Sequence, residues 1–171
     1  GKSYSYVGPR TEDIWVEVAE YVADGQVRRI DWKAPKRECR PDQIVLRIDR
    51  GNIDFEPGQY VRIGVEGDSE IRDYSIYSGN NKPYIEVLLR RVEDGLVSKQ
   101  LYDLEIGDKV MVGGPYGHFK ILDNVKNNPL LFIATGTGIS PYRSFIESYE
   151  NLDFQVKILF DKLDFAKYYY F

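Results

Sequence analysis

The segment Arg72-Asp73-Tyr74-Ser75 combines a cation, an aromatic ring and a hydroxyl in a stretch that alternates like a β-strand. On a strand, Arg72 and Tyr74 share one face, and Asp73 and Ser75 share the other. A guanidinium binds pyrophosphate, an aromatic ring packs against a flat heterocycle, and a small hydroxyl hydrogen-bonds a ring nitrogen. A flavin dinucleotide requires these three contacts. The alternative is an edge strand with a surface arginine and cross-strand tyrosines, and four residues alone do not decide between the two.

A glycine-started helix is the second candidate phosphate site. Gly95 precedes a short helical pattern that runs from Leu96 to Asp103, and we expect Ser98 to help cap this helix. The free N–H groups at a helix start hold phosphate well. An ordinary capped surface helix is the alternative.

A glycine-rich turn near the end of the chain is the third candidate. The segment Ala134–Arg143 contains Gly136 and Gly138 between an apolar run and a helical pattern that begins at Pro141. Glycines let a ligand approach the backbone, and a helix N-terminus favours phosphate. The segment is not the G-x-G-x-x-G fingerprint, because Pro141 stands where its third glycine would be.

Short alternating segments separated by turn residues surround the first two candidates, from Asp13 to about Leu122. This pattern predicts an antiparallel barrel or sandwich with at least six strands. We expect its strands at Ile14–Val22, Gln43–Ile48, Tyr60–Val65, Arg72–Ser78, Tyr84–Leu89 and Lys109–Val112. The segment Gly113–Phe119 is expected to form a tight turn that ends the barrel, with His118 at the surface.

The pattern changes after Pro129. Leu130–Ala134 is a continuous apolar run of the buried parallel-strand type, a helix is expected over Pro141–Tyr149, and a second strand over Phe154–Phe160. These elements begin an α/β nucleotide-binding domain of the Rossmann-like kind. The predicted division is a barrel domain in residues 1–125 and an incomplete nucleotide-binding domain in residues 126–171. We interpret Tyr168–Phe171 as part of a helix of that second domain.

Composition excludes several classes of protein. Hydrophobic residues make up 43% and charged residues 29% of the 171 residues, as in globular proteins. The net charge of −4 argues against nucleic acid as the main partner. The single Cys39 and the single His118 exclude a multi-cysteine or histidine-rich metal site, so no metal is expected. The chain has no apolar run of about 20 residues that would span a membrane, and we expect a cytoplasmic protein.

Taken in order, these motifs resemble the ferredoxin–NADP reductase family over most of the chain, from about Asp13 to Phe160. The resemblance implies that the β domain is a six-stranded antiparallel Greek-key barrel that binds flavin. The segment Pro57-Gly58-Gln59-Tyr60 also resembles the family's strand entry before the flavin strand. The resemblance implies that Arg72 binds FAD phosphate, Tyr74 packs against the isoalloxazine, and Ser75 hydrogen-bonds near flavin N5. It makes Ser75 and Tyr74 the catalytic residues and includes Asp73 in the same binding strand.

The resemblance extends to three further groups of cofactor contacts. A second FAD contact corresponds to Leu88, Leu89 and Arg90, and a third, with backbone amides on the pyrophosphate, to Gly95, Leu96, Val97 and Ser98. The residues that would face the nicotinamide nucleotide are Gly136, Thr137, Gly138, Ser140 and Pro141.

The activity implied by the resemblance is hydride exchange between NADP(H) and flavin N5 beside Ser75, coupled to one-electron transfer to ferredoxin, flavodoxin or a similar protein. An NAD(P)H-dependent flavin reductase, or the reductase component of an oxygenase, is an alternative with the same core. A barrel that only docks a protein partner is an alternative from another class. The family's segment that binds the 2′-phosphate is not found in this sequence, so the choice between NADP and NAD stays open. NADP(H) is the expected co-substrate and NAD(H) is the alternative.

Overall fold

A computed structural model describes residues 26–33, 42–150 and 152–158. The predicted strand Ile14–Val22 and the tail that ends in Tyr168–Phe171 lie outside these residues.

Six strands form one antiparallel sheet that curls into a barrel. They are β1 (Gln26–Lys33), β2 (Gln43–Asp49), β3 (Tyr60–Val65), β4 (Arg72–Ser75), β5 (Tyr84–Arg90) and β6 (Lys109–Tyr116). Their order in the sheet is β4-β3-β6-β1-β2-β5. An isolated antiparallel bridge between Ile76 and Val87 joins the two edges. The prediction of a six-stranded antiparallel barrel is confirmed.

Alternation along the strands builds the core of the barrel. On β5, Ile85, Val87 and Leu89 are at most 1% exposed and face the interior, while Glu86 and Leu88 face outward. Helix α1 (Leu96–Asp103) contributes Val97, Leu101 and Tyr102 to the same core. Its bounds are those predicted.

The predicted ends of two strands, β4 and β6, are wrong by three and four residues, while β2 and β5 each extend one residue beyond the prediction. Strand β6 continues to Tyr116 instead of ending at Val112, because β3 pairs with the glycine-rich part through a register shift between the pairs Arg62–Gly113 and Tyr60–Tyr116. Gly114, with φ of 121°, supplies the left-handed backbone that this irregularity uses. Strand β4 ends at Ser75 instead of Ser78, because the chain turns after the Ile76 bridge.

Strand β1 was not predicted. Its segment Gln26–Lys33 carries adjacent arginines, Arg28 and Arg29, which weaken the alternating apolar signal. The strand pairs with β6 on one side and β2 on the other, so hydrogen bonds to these two strands determine its conformation.

A small α/β unit follows the barrel. Strand β7 (Leu130–Ala134) and strand β8 (Phe154–Ile158) pair in parallel, with a short 3-10 helix (Gly136–Ile139) and helix α2 (Ser140–Ser148) between them. The predicted strand–helix–strand order is confirmed, although α2 begins and ends one residue earlier than expected, and the described part of the last strand stops at Ile158. The division into domains at residue 125 stays a prediction.

The face of β7 toward α2 carries an aromatic core. Phe132 stacks on Tyr142 with ring centroids 4.7 Å apart, and Phe145 is 1% exposed. Stacked aromatic rings bury large areas and hold the helix against the parallel strands.

Candidate functional site

Strand β4 lies along β3, with Tyr74 opposite Val61 and Ser75 opposite Tyr60. The Arg72 side chain is half exposed, and its Nη1 donates to Glu70 Oε2 at 3.0 Å and to the Ile71 carbonyl at 2.6 Å. Nη2 of Arg72 has no partner among the described residues. The guanidinium is therefore anchored on one side and open to an anion on the other.

Asp73 is already engaged within the barrel. Its Oδ1 accepts from Arg62 Nε at 3.0 Å, and the Arg62 guanidinium lies 5.4 Å from the centre of the Tyr116 ring. The Arg62 side chain is only 11% exposed, so Asp73 serves this strand pair by neutralising a mostly buried cation. Its assignment as a cofactor contact stays a prediction.

The Tyr74 ring packs against the barrel core. Burial raises the pKa of Tyr74 to about 12, although the positive charge of Arg72 opposes the rise. The phenol therefore stays neutral at any physiological pH. Tyr74 is suited to packing and to hydrogen bonding through its hydroxyl, and not to proton abstraction.

Ser75 lies opposite Tyr60 of the neighbouring strand β3. The Tyr60 ring packs against the Tyr116 ring, with the two centroids 5.6 Å apart. Within the described ranges, the Ser75 hydroxyl has no hydrogen-bond partner. A half-buried hydroxyl with free donor and acceptor capacity, beside tyrosine rings, suits contact with a planar polar ligand.

The three residues Leu88, Leu89 and Arg90 occupy three different environments. Leu89 lies in the barrel core and Leu88 on the outer face of the sheet. Arg90 is exposed, and its Nε donates to Asp42 Oδ2 at 2.6 Å. Leu88 is only 4% exposed, so of the three side chains only that of Arg90 is placed to contact a molecule outside the barrel. Their cofactor role stays a prediction.

Ser98 does not cap helix α1, contrary to expectation. Its Oγ accepts from the Val92 N–H at 3.2 Å and donates to the Gly95 carbonyl at 3.3 Å, which fastens the preceding turn to the helix. Gly95 is the N-cap and no side chain caps the helix. Because the first helical N–H groups lack a side-chain acceptor, the Gly95–Ser98 start can bind an anion.

The glycine-rich turn lies at the carboxyl end of β7. Gly136 has φ of 52°, and an added Cβ at Gly136 or Gly138 would meet no atom within 4 Å. The Ser140 hydroxyl donates to the Thr137 carbonyl at 2.7 Å, and Pro141 occupies the first turn of α2. The open space beside both glycines is what a nucleotide needs to approach the backbone.

The fold brings the flavin-type strand and the glycine-rich turn together. Tyr77, two residues after Ser75, packs in one buried cluster with Ala134 and Ile139, which flank the turn, and with Leu88 and Val45 on the outer face of the barrel. The candidate flavin strand and the candidate nucleotide-binding turn, both proposed from the sequence, are therefore neighbours across this cluster.

Sequence reasoning missed Glu86. This carboxylate is 4% exposed and lies between two arginines. An acidic residue in the otherwise apolar segment Ile85–Leu89 was the available signal, since buried charges need partners.

Within residues 26–33, 42–150 and 152–158, the structure contains no helix that is long and apolar enough to cross a bilayer. The same residues contain no group of three or more histidine, cysteine, aspartate or glutamate side chains placed to hold a metal ion.

Comparisons with known proteins agree with this geometry. Residues 39–121 match the family of oxidoreductase FAD-binding domains. The toluate 1,2-dioxygenase electron transfer component of Pseudomonas putida is 36% identical over 115 residues, 65% of this chain and 34% of that protein. The flavodoxin/ferredoxin–NADP reductase of Escherichia coli is 36% identical over 111 residues, 63% of this chain and 45% of that protein.

A solved structure is similar over the same region. The ferredoxin NADP+ reductase from Neisseria gonorrhoeae with bound FAD and NADP has a TM-score of 0.63 at 25% identity, covering 72% of this chain and 50% of that one. The matches cover 34% to 50% of the length of these three relatives.

Proposed function

The chain belongs to the ferredoxin–NADP reductase family, and we propose that it forms the FAD-binding part of an oxidoreductase that exchanges electrons between NADP(H) and a one-electron carrier. The observation that carries this proposal is the cluster of Tyr77 with Ala134 and Ile139. It holds the strand that ends at Ser75 against the turn that begins at Gly136. Hydride transfer requires a flavin site and a nicotinamide site to meet in this way.

The residues of the barrel fit a flavin dinucleotide. Arg72 has an open guanidinium face for a phosphate, and the start of α1 at Gly95–Ser98, which has no side-chain cap, has backbone N–H groups that would also bind phosphate. Ser75 has a free hydroxyl for a ring nitrogen, and Tyr74 remains neutral beside it. The backbone of Leu88–Arg90 would complete the binding surface along β5.

When bound, FAD accepts hydride at N5 and releases electrons singly, which links a two-electron donor to a one-electron acceptor. The chain itself supplies binding and orientation. Ser75 would donate or accept the hydrogen bond at the reacting nitrogen. Burial raises the pKa of Tyr74 to about 12, so its phenol keeps its proton and would serve by packing and hydrogen bonding, not as a base.

The glycine-rich turn is the proposed nicotinamide-nucleotide contact. Gly136, Thr137 and Gly138 would present backbone to the nucleotide, and Ser140 with Pro141 begins the helix whose N-terminus favours its phosphates. NADP(H) is the proposed co-substrate, with NAD(H) as the alternative to be tested.

The proposed partner is ferredoxin, flavodoxin or a similar electron-transfer protein, in the cytoplasm. The oxygenase component of a dioxygenase is a second candidate acceptor, and the relatives of this chain favour it. Relatives at 36% and 32% identity are electron transfer components of a toluate and a 2-halobenzoate dioxygenase. An oxygenase component is therefore the alternative acceptor.

We expect the FAD-loaded protein that carries this chain to lose its yellow absorbance when mixed with NADPH or NADH, at about 1 s⁻¹ or faster. Ser75→Ala is expected to retain FAD and to slow this reduction by about 10- to 100-fold, because one hydrogen bond at the reacting centre is lost. Stopped-flow absorbance measures both rates.

Dithionite provides the control, since it reduces bound flavin without a nicotinamide site. Bleaching by dithionite but not by NADPH or NADH would contradict the proposed activity. Adding ferredoxin, flavodoxin or an oxygenase component to the reduced protein then identifies the acceptor by which one restores the yellow colour.

A further inference from the structure

We propose that Glu86 is a positioning residue for hydride transfer, because it fixes helix α2 and the glycine-rich turn at a set distance from the flavin strand. This inference rests on the proposed function. It concerns a carboxylate in the wall between the barrel and the α/β unit, outside both sets of cofactor contacts.

Glu86 binds one arginine from each side of this wall. Its Oε1 accepts from Arg47 Nη2 at 2.8 Å and from Nε at 3.2 Å, on the neighbouring barrel strand β2. Its Oε2 accepts from Arg143 Nη1 at 2.9 Å, on α2. With 4% of its surface exposed, Glu86 is the buried anion that joins the two parts.

Arg143 lies two residues after Pro141, in the first turn of α2. Its guanidinium stacks over the Tyr77 ring at 4.1 Å, and Nη1 also donates to the Tyr77 carbonyl at 3.3 Å. Tyr77 follows Ser75 by two residues. Glu86 therefore orients a cation on the helix of the proposed nucleotide site, and this cation contacts the segment directly after the strand of the proposed hydride site.

The other end of Arg143 extends the network. Its Nη2 pairs with Glu147, one turn along α2. Glu147 Oε2 in turn accepts from the Gly79 N–H at 2.8 Å, and Ser148 Oγ accepts from the Asn80 N–H at 2.9 Å. The helix is thus held to the loop that follows β4 at several points.

Gly79 shows how close this contact is. A Cβ added there would lie 2.8 Å from Glu147 Cβ and 3.1 Å from the Glu147 carbonyl carbon. Neither of these atoms is the far end of a flexible side chain, so a rotamer change cannot relieve the overlap. An alanine at this position would therefore push α2 away from the barrel while leaving every charge in place.

Two variants test the proposal by independent routes. Glu86→Gln removes the charge that orients Arg143, and Gly79→Ala inserts a methyl group beneath α2. Since a displacement of about 1 Å costs about 100-fold in rate at a reacting centre, we expect each variant to lower kcat for flavin reduction by at least about tenfold. We expect unchanged FAD retention and a KM for NADPH within about threefold of wild type.

Glu66→Gln is the matched control, because Glu66 makes an ion pair with Lys109 at 3.6 Å on the outside of the barrel. It removes the same carboxylate charge and should leave kcat unchanged. A merely structural role for Glu86 would lower the melting temperature without changing kcat per bound flavin. A kcat within about twofold of wild type in both Glu86→Gln and Gly79→Ala would overturn the proposal.

Hydrogen exchange of the chain without FAD gives a readout that needs no activity. The Gly79 and Asn80 amides are expected to exchange about tenfold faster in Glu86→Gln, while the amides of β3 keep their wild-type rates. Equal protection of Gly79 and Asn80 in variant and wild type would overturn the placement of α2 by Glu86. If wild type is not reduced by NADPH or NADH, the proposed function fails, and the exchange experiment alone decides the placement.

Discussion

Replacing Arg72 with alanine is expected to weaken FAD binding by about 10- to 100-fold. A charged hydrogen bond to phosphate contributes about 1.5–3 kcal/mol, and each 1.4 kcal/mol is tenfold in affinity. The side chain is half exposed, so the cost is loss of ligand contact, with little change in folding stability. Quenching of flavin fluorescence during titration of the chain measures the affinity.

Two further variants make this result specific. Ser75→Ala removes one neutral hydrogen bond and is expected to weaken binding by less than about tenfold. Arg29→Ala removes an exposed arginine from β1, three strands from β4 around the barrel in either direction, and should leave the affinity unchanged. Equal affinity of wild type and Arg72→Ala would contradict the phosphate assignment.

Replacing Gly58 with alanine is expected to destabilise the fold by about 3 kcal/mol. Gly58 has φ of 90°, where an alanine is strained by about 1–3 kcal/mol. Its added Cβ would also lie 2.2 Å from the Phe119 carbonyl oxygen and 2.7 Å from Phe145 Cζ on α2, and such overpacking costs a further 1–3 kcal/mol or so. Urea unfolding monitored by tryptophan fluorescence and circular dichroism measures the loss.

Gly67 offers a closely matched control. It has φ of 88°, nearly that of Gly58, but an added Cβ would meet nothing within 4 Å. Gly67→Ala therefore reports the backbone strain alone, and Gly58→Ala should be the less stable by about 1–3 kcal/mol. Equal losses in the two variants would show that the contact of the Gly58 turn with Phe119 and Phe145 contributes nothing.

The regular parts of this fold were predictable because their signals are local. The bounds of α1 and β7 agree with prediction, since a helical period and a continuous apolar run are both readable within the segment itself. Strand β1 was missed because Arg28 and Arg29 obscure its alternation, and its conformation depends on partners far along the chain. The extension of β6 through Gly113–Tyr116 depends on β3 in the same way.

The residues of the candidate site were proposed from the sequence, whereas the contacts that join them are known only from the structure. The segment Arg72–Ser75 and the turn at Gly136 could be proposed because each combines residue types that suit contact with a nucleotide cofactor. The pairing of Asp73 with Arg62 and the network from Glu86 to Arg143 join residues 11 and 57 positions apart. Such contacts leave no local pattern, and only a buried acid within β5 hinted at the second.

Retention of FAD by the folded chain is the direct test of flavin binding by the barrel. The purified chain is incubated with FAD, free cofactor is removed by gel filtration, and the retained flavin is measured against protein by absorbance. We predict about one FAD per folded chain, with its fluorescence quenched by the tyrosines beside Ser75. A folded chain that elutes colourless, with no retained flavin, would show that the barrel is not a flavin site.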